Sequence, residues 1–228
     1  MTKNNILPFD AEKAVLLGRA FIPELLGPSV IAVRDGEAFD ITAKGAATSS
    51  AILDLKDPIR YVDKAILRAT SLGGIEEICR NSEEGTRDWE RPWLLSPVDL
   101  QAVKAAGVTF IVSLLERVIE EKARGEVKLA QEIRTAIVDL VGGELSLLKP
   151  GSKKASDVKK LLIERGIWSQ YLEVGIGEDA EIFTKCQPLS SVGFGSNIGI
   201  LRNSTWNNPE PEIVLIISSF GKIEIGRA

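Results

Sequence analysis

The chain has no histidine. That absence removes Ser-His-Asp and Cys-His nucleophilic catalysis, histidine-based zinc sites and imidazole as a general base. Acid–base chemistry here falls to carboxylate, lysine, tyrosine, cysteine or metal-bound water. Cysteine is nearly absent too. Cys79 and Cys186 lie far apart and outside any CxxC pair, which reads as two reduced thiols in a cytoplasmic protein. The opening MTKNNILPFDAEKAV lacks the apolar stretch of a signal peptide. No apolar run approaches the ~18 residues of a membrane span. Basic excess is also missing. A net charge of −4 supplies no positive face for phosphate, so neither nucleic acid nor a membrane is an expected partner.

What remains is an ordinary globular composition: 228 residues, 44% hydrophobic and 26% charged. That is enough to bury a core without disulfides. Residues 15–23 and 28–42 read as extended segments, with Asp35-Gly36 as a hairpin signal. TSSAILDLKDPIRYVDKAIL reads as helix interrupted at Pro58, and GGIEEICRNS as a second short helical piece. Residues 81–97 read as a loop holding two tryptophans. SPVDLQAVKAAG reads as a helix start, with Ser96 as N-cap and Pro97 in the first turn.

Two amphipathic helices follow, over 110–125 and 126–143, each ended by glycine. Residues 149–160 are rich in Lys, Ser, Gly and Pro and read as an exposed turn or linker, with ASDVKKLLIERG adding a short helix. From residue 167 the helical period stops, and EIFTKCQ, NIGILR and EIVLII read as strands. The expected architecture is α+β, with a mixed, helix-rich domain over 1–166 and a β-rich domain over 167–228.

Several motifs invite chemistry. Gly193, Gly195 and Gly199 form GxGxxxG, but β-like sequence follows, so a tight strand connection is favoured over a nucleotide loop. Ser146 and Lys149 fit SxxK without its partner motifs. Glu116, Arg117, Glu120 and Glu121 read as a solvated helix face. Glu210 and Glu212 flank Pro211 ahead of an apolar run. Two residues apart on a strand they share a face. They make either a polar strand entrance or a hard, oxygen-rich half-site for Mg²⁺, Mn²⁺ or Ca²⁺.

The stretch from EIFTK through SVGFGSNIGI and STWNNPEPE to the apolar strand ending in Gly-Lys resembles the fumarylacetoacetate hydrolase family. It is most similar to the branch that includes 2-keto-3-deoxy-D-arabinonate dehydratase. SPVDLQAVKAAGVTF and ERVIEE resemble that branch as well, so the likeness covers most of the chain after about residue 90. The resemblance implies a β-rich catalytic domain behind a smaller N-terminal domain, and a homodimer. It implies a divalent metal, Mg²⁺ or a similar ion, held by Glu210 and Glu212. It implies a small 2-oxo acid substrate, with dehydration of a 2-keto-3-deoxy sugar acid through an enolate favoured over C–C hydrolysis, decarboxylation or isomerisation. Glu120 or Glu121 would act as general acid or base, and Lys185 would face the substrate carboxylate. The missing histidine fits this branch better than the hydrolytic one, which uses a His-Glu arrangement to activate water.

The same resemblance implies a further aspartate, arginine and lysine that the 228 residues do not supply, and IEIGRA departs from the family's continuation. On that reading the catalytic domain is incomplete here, as an expressed fragment, a shortened gene product or a frame shifted just after Lys222. The alternative is a non-catalytic remnant. EIVLII would then leave an open strand edge and apolar surface prone to association.

Overall fold

The computed structural model describes residues 6–106, 119, 123, 126–141, 148–166, 168, 173, 175–178, 182–205, 207 and 212–225. The fold is mixed α+β, with a five-stranded antiparallel sheet and several helices. The chain divides into two compact units: Met1–Val103 with Cys186–Ala228, and Lys104–Lys185. Residue 166, where the helical periodicity ends, lies inside the second unit.

The first unit is built on strands β1 (Leu16–Ile22), β2 (Gly27–Arg34), β3 (Glu37–Asp40), β4 (Thr70–Gly74) and β5 (Trp93–Leu95), in the order β4-β3-β2-β1-β5. The expected hairpin forms at Asp35-Gly36. Both residues have positive φ, 53° and 78°, the backbone that matches the right-handed twist of the flanking strands. β2 is apolar on both faces because both are covered. On one face Ile31 packs with Ala20, Ile22, Ile75 and Ile78 under helix α3 (Ile75–Asn81). On the other, Val30 and Ala32 pack with Ile52, Val62 and Ile66 of helices α1 (Ser49–Leu53) and α2 (Pro58–Ile66). Pro58 does not interrupt a single helix. It opens α2 behind the N-cap Asp57, whose carboxylate accepts from the Arg60 amide at 3.0 Å.

The second unit has its own core. Helix α4 (Val127–Val141) contributes Ile133 and Ile137, and helix α5 (Lys153–Glu164) contributes Ala155, Val158 and Leu162. The 3–4 spacing on each helix sets one apolar stripe against the other. Ile119 and Ala123 are helical and buried. Most of the helix expected over 110–125 lies outside the described residues. Strands β6 (Val103–Ala106) and β7 (Ile182–Cys186) pair as a separate two-stranded sheet.

Four expectations are corrected. Residues 96–102 are not helical, because Ser96 and Asp99 spend their side chains on distant partners instead of a local cap. The loop over 81–97 contains β5, recruited by antiparallel pairing with β1. The segment 149–160 is a turn only as far as Ser152, whose hydroxyl caps α5 by accepting from the Ala155 amide at 3.2 Å. NIGILR forms no strand: residues 196–201 are irregular, and without a partner ladder the apolar run has nothing to extend along. The apolar run after Glu212 does pair. Strands β8 (Leu215–Ile217) and β9 (Ile223–Ile225) form an antiparallel hairpin, with Ile217 opposite Ile223.

Candidate functional site

Of the five residues singled out above, the structure describes two. Glu212 is exposed and irregular, three residues ahead of β8. β8 itself starts at Leu215, so Glu212 lies before the strand. Its carboxylate has no hydrogen-bond or ion-pair partner among the described residues and so is chemically uncommitted. Lys185 is exposed on β7, and its Nζ sits over the Phe183 ring, 5.0 Å from the centroid. The two belong to different units. Glu120, Glu121 and Glu210 lie outside the described residues.

Hard carboxylate oxygens suit Mg²⁺ or Mn²⁺ in kind. In number they fall short: among the described residues no three Asp, Glu or Cys side chains gather closely enough to hold a metal ion. The chemistry of the donors therefore fits a divalent cation, and the described donor set is not a complete site.

The glycine-rich run has a packing explanation. Residues 187–199 lie along β5 and the turn that follows α3. The Leu189 amide donates to the Asp99 carbonyl, Ser191 Oγ shares a hydrogen bond with Ser96 Oγ at 2.6 Å, and the Glu84 amide donates to the Gly195 carbonyl. Phe194 packs on the α3 side of the sheet. A Cβ on Gly193 would lie 2.5 Å from the Leu94 carbonyl oxygen, and one on Gly195 2.6 Å from that of Ser82. These glycines let one backbone press on another, as a tight connection requires.

Among the described residues, the most heavily engaged ionisable group is one that sequence reading missed. Asp99 is buried. Its carboxylate accepts from the Ser49 amide (2.7 Å), the Ser50 amide (3.2 Å), the Leu100 amide (2.8 Å) and the Ser50 hydroxyl. Arg19 Nε lies 3.4 Å away, and its Nη1 donates to the Ser96 and Val98 carbonyls. Burial pushes the Asp99 carboxyl upward, but the hydrogen bonds from Ser50, Leu100 and Ser49 outweigh it and hold it below the ordinary carboxylate value. Every donor is structural, so the pair is a clasp joining β1 to the start of α1. Its signal in the sequence was Arg19 itself, a charge inside the apolar strand LLGRAFI.

The aromatic loop is a second closed cluster. The Arg87 guanidinium lies 5.3 Å from the Trp89 ring and 5.0 Å from that of Trp93, and Phe21 stacks on Trp93 at 4.3 Å. In the second unit, Gln131, Glu132, Thr135, Asp139 and Arg165 line an open depression of about 450 Å³.

The cysteines differ in environment. Burial and the nearby Glu76 push the Cys79 thiol up to about 11, whereas Cys186 is half-buried on β7. At pH 8 only about a thousandth of Cys79 would be thiolate, the reactive form. A disulfide reagent is expected to label one thiol quickly in the folded protein, with that fast phase lost in Cys186→Ser and the second thiol appearing only in denaturant.

Among the described residues no helix is long and apolar enough to cross a membrane. Comparison with protein-family models, with curated proteins and with solved structures gives no match.

Proposed function

We propose that the chain is a divalent-metal-dependent lyase of the fumarylacetoacetate hydrolase type, or the larger part of one, acting on a 2-keto-3-deoxy sugar acid or a related 2-oxo acid as a homodimer. The reading rests on the run STWNNPEPE leading into β8, in which Glu212 stands exposed with its carboxylate uncommitted. Glu210 and Glu212 would hold the cation. A cation bound there supplies Lewis-acid polarisation of the 2-oxo group, which makes the neighbouring C3 hydrogen more acidic. The chain's own residues divide the remaining work. Lys185 offers an exposed ammonium to the substrate carboxylate. Glu120 or Glu121 takes the C3 proton or returns one to the leaving hydroxyl, a role that desolvation would assist by raising its pKa.

The test is a Mn²⁺ titration followed by electron paramagnetic resonance, beside a turnover assay with 2-keto-3-deoxy-pentonate and Mg²⁺. Glu212→Gln keeps size and shape while removing the charged ligand. It is expected to weaken Mn²⁺ binding at least tenfold and to abolish any turnover, with circular dichroism unchanged. Binding equal in wild type and variant would end the metal assignment. Metal binding without turnover would favour the non-catalytic reading.

A further inference from the structure

The net charge of −4 hides a local reversal on helix α2. Residues 56–68 carry Lys56, Arg60, Lys64 and Arg68 against Asp57 and Asp63, a net +2. On one side of the helix Pro58, Val62 and Ile66 are buried. At about 100° per residue, the opposite half carries Ile59, Arg60, Asp63, Lys64 and Leu67. Arg68 follows in the turn that closes the helix, its amide donating to the Ala65 carbonyl at 3.0 Å. Arg60, Lys64 and Arg68 are exposed, and beside them Ile59 and Leu67 stand 56% and 80% exposed.

The fold does not account for this row of cations. Arg60, Lys64 and Arg68 stand four residues apart, so each repels the next where a carboxylate would attract it. The helix dipole favours cations near its C-terminal end, but Arg60 is the third residue of α2, at the positive end. None of the three side chains has a hydrogen-bond or ion-pair partner among the described residues. The carboxylate in their midst, Asp63, is engaged by Arg34 of β2.

We infer that the outer face of α2 docks an acidic peptide segment of a partner protein. Its carboxylates pair with Arg60, Lys64 and Arg68, the arginines offering a bidentate fork, and its apolar side chains cover Ile59 and Leu67. Charge complementarity calls for an anion, and three observations favour a polypeptide over other polyanions. Ile59 and Leu67 flank the cationic row, and a phosphate backbone offers them nothing apolar. Tyr61, the aromatic residue of α2, is half-buried with its hydroxyl on the Ile41 carbonyl, so it presents no free ring for a base to stack on. Outside residues 56–68 the chain carries −6, the total of −4 less this segment's +2. An extended anionic bilayer meets that opposing charge, whereas a peptide engages the row alone. The inference rests on α2 and not on the metal.

Fluorescence anisotropy with a labelled synthetic peptide tests it. The probe is a helical peptide with Glu at every fourth position and Leu beside each, titrated with the full chain. The expected result is saturable binding that weakens about tenfold between ~50 and ~300 mM NaCl. The double variant Arg60→Gln with Lys64→Gln changes only exposed, unpartnered side chains. It is expected to lower affinity about tenfold with unchanged circular dichroism. Lys153→Gln, at an exposed cation on α5, should bind as wild type does. The same peptide with Gln in place of Glu should not bind. Absence of binding by the Glu peptide would overturn the inference. So would binding that the double variant leaves unchanged. Tighter binding to phosphatidylserine vesicles or to a single-stranded oligonucleotide, lost in the double variant, would overturn it in favour of a phosphate-bearing partner. None of these results alters the Mn²⁺ titration, so this inference and the metal reading fail separately.

Discussion

Asp99→Ala is expected to cost about 3–5 kcal/mol, the range for removing one partner of a buried ion pair. The loss has two sources. Arg19 stays buried with its charge unanswered, and the amides of Ser49 and Ser50 at the start of α1 lose their acceptor. Urea unfolding followed by tryptophan fluorescence should show a lower midpoint at unchanged slope. Asp99→Asn separates charge from shape, because it keeps one acceptor oxygen and the packing, and should cost less. The pair also sets a pH dependence. The Asp99 carboxyl lies below its ordinary value near 3.8 in the folded protein. On acidification the unfolded chain therefore takes up the proton first. The clasp's contribution is fully present above about pH 5 and falls away as the pH drops through the folded value. Asp99→Asn should lack that component of the acid limb. An acid limb identical in wild type and variant would show that Asp99 is not the group responsible.

This clasp marks where the sequence stopped being legible. The hairpin at Asp35-Gly36 and the helices α3, α4 and α5 were readable because each depends on neighbours within one or two turns. Ser96 and Asp99 looked like local helix signals because nothing nearby reveals partners 95 and 50 residues away. β5 was missed for the same reason. Three residues, Trp93–Leu95, have no periodicity to speak of, and only pairing with Phe21, Ala20 and Arg19 makes them a strand. Apolar composition is not enough either: the run from Ile198 to Leu201 has strand-forming residues and no ladder among the described residues. At the candidate site the sequence supplied residue types and a resemblance. It placed Glu212 ahead of an apolar strand correctly in order. It did not foresee that the strand would begin only three residues beyond the glutamate, at Leu215. Lys185 was likewise chosen by motif: EIFTKCQ read as a strand, as it is, but the placement of the Lys185 ammonium over the Phe183 ring was not readable from it.

Gly195→Ala is expected to be nearly as damaging, and it decides what the glycine-rich run is for. Gly195 has φ near 75°, a conformation that costs a non-glycine residue roughly 1–3 kcal/mol. The new methyl would also sit 2.6 Å from the Ser82 carbonyl oxygen and 2.8 Å from the Glu83 amide nitrogen. These are backbone atoms that cannot rotate aside, and overpacking of this kind adds about 1–3 kcal/mol. Gly193→Ala meets the second penalty without the first, because its Cβ would strike Leu94 and Leu95 at ordinary φ. Gly199→Ala meets neither, since nothing lies within 4 Å of its Cβ position. Packing therefore predicts the order 195, then 193, then 199 with almost no change. Release of residues 189–197 from the sheet limits the damage if that segment detaches before the core unfolds. Hydrogen exchange at the Leu189, Glu84 and Asn197 amides, each bonded across this contact, would then rise in Gly195→Ala while the amides of β2 stay protected. A ligand-binding glycine loop predicts a different pattern: stability little altered, and a binding defect in all three variants. The melting temperatures of the three alanine variants, measured together, separate the two outcomes.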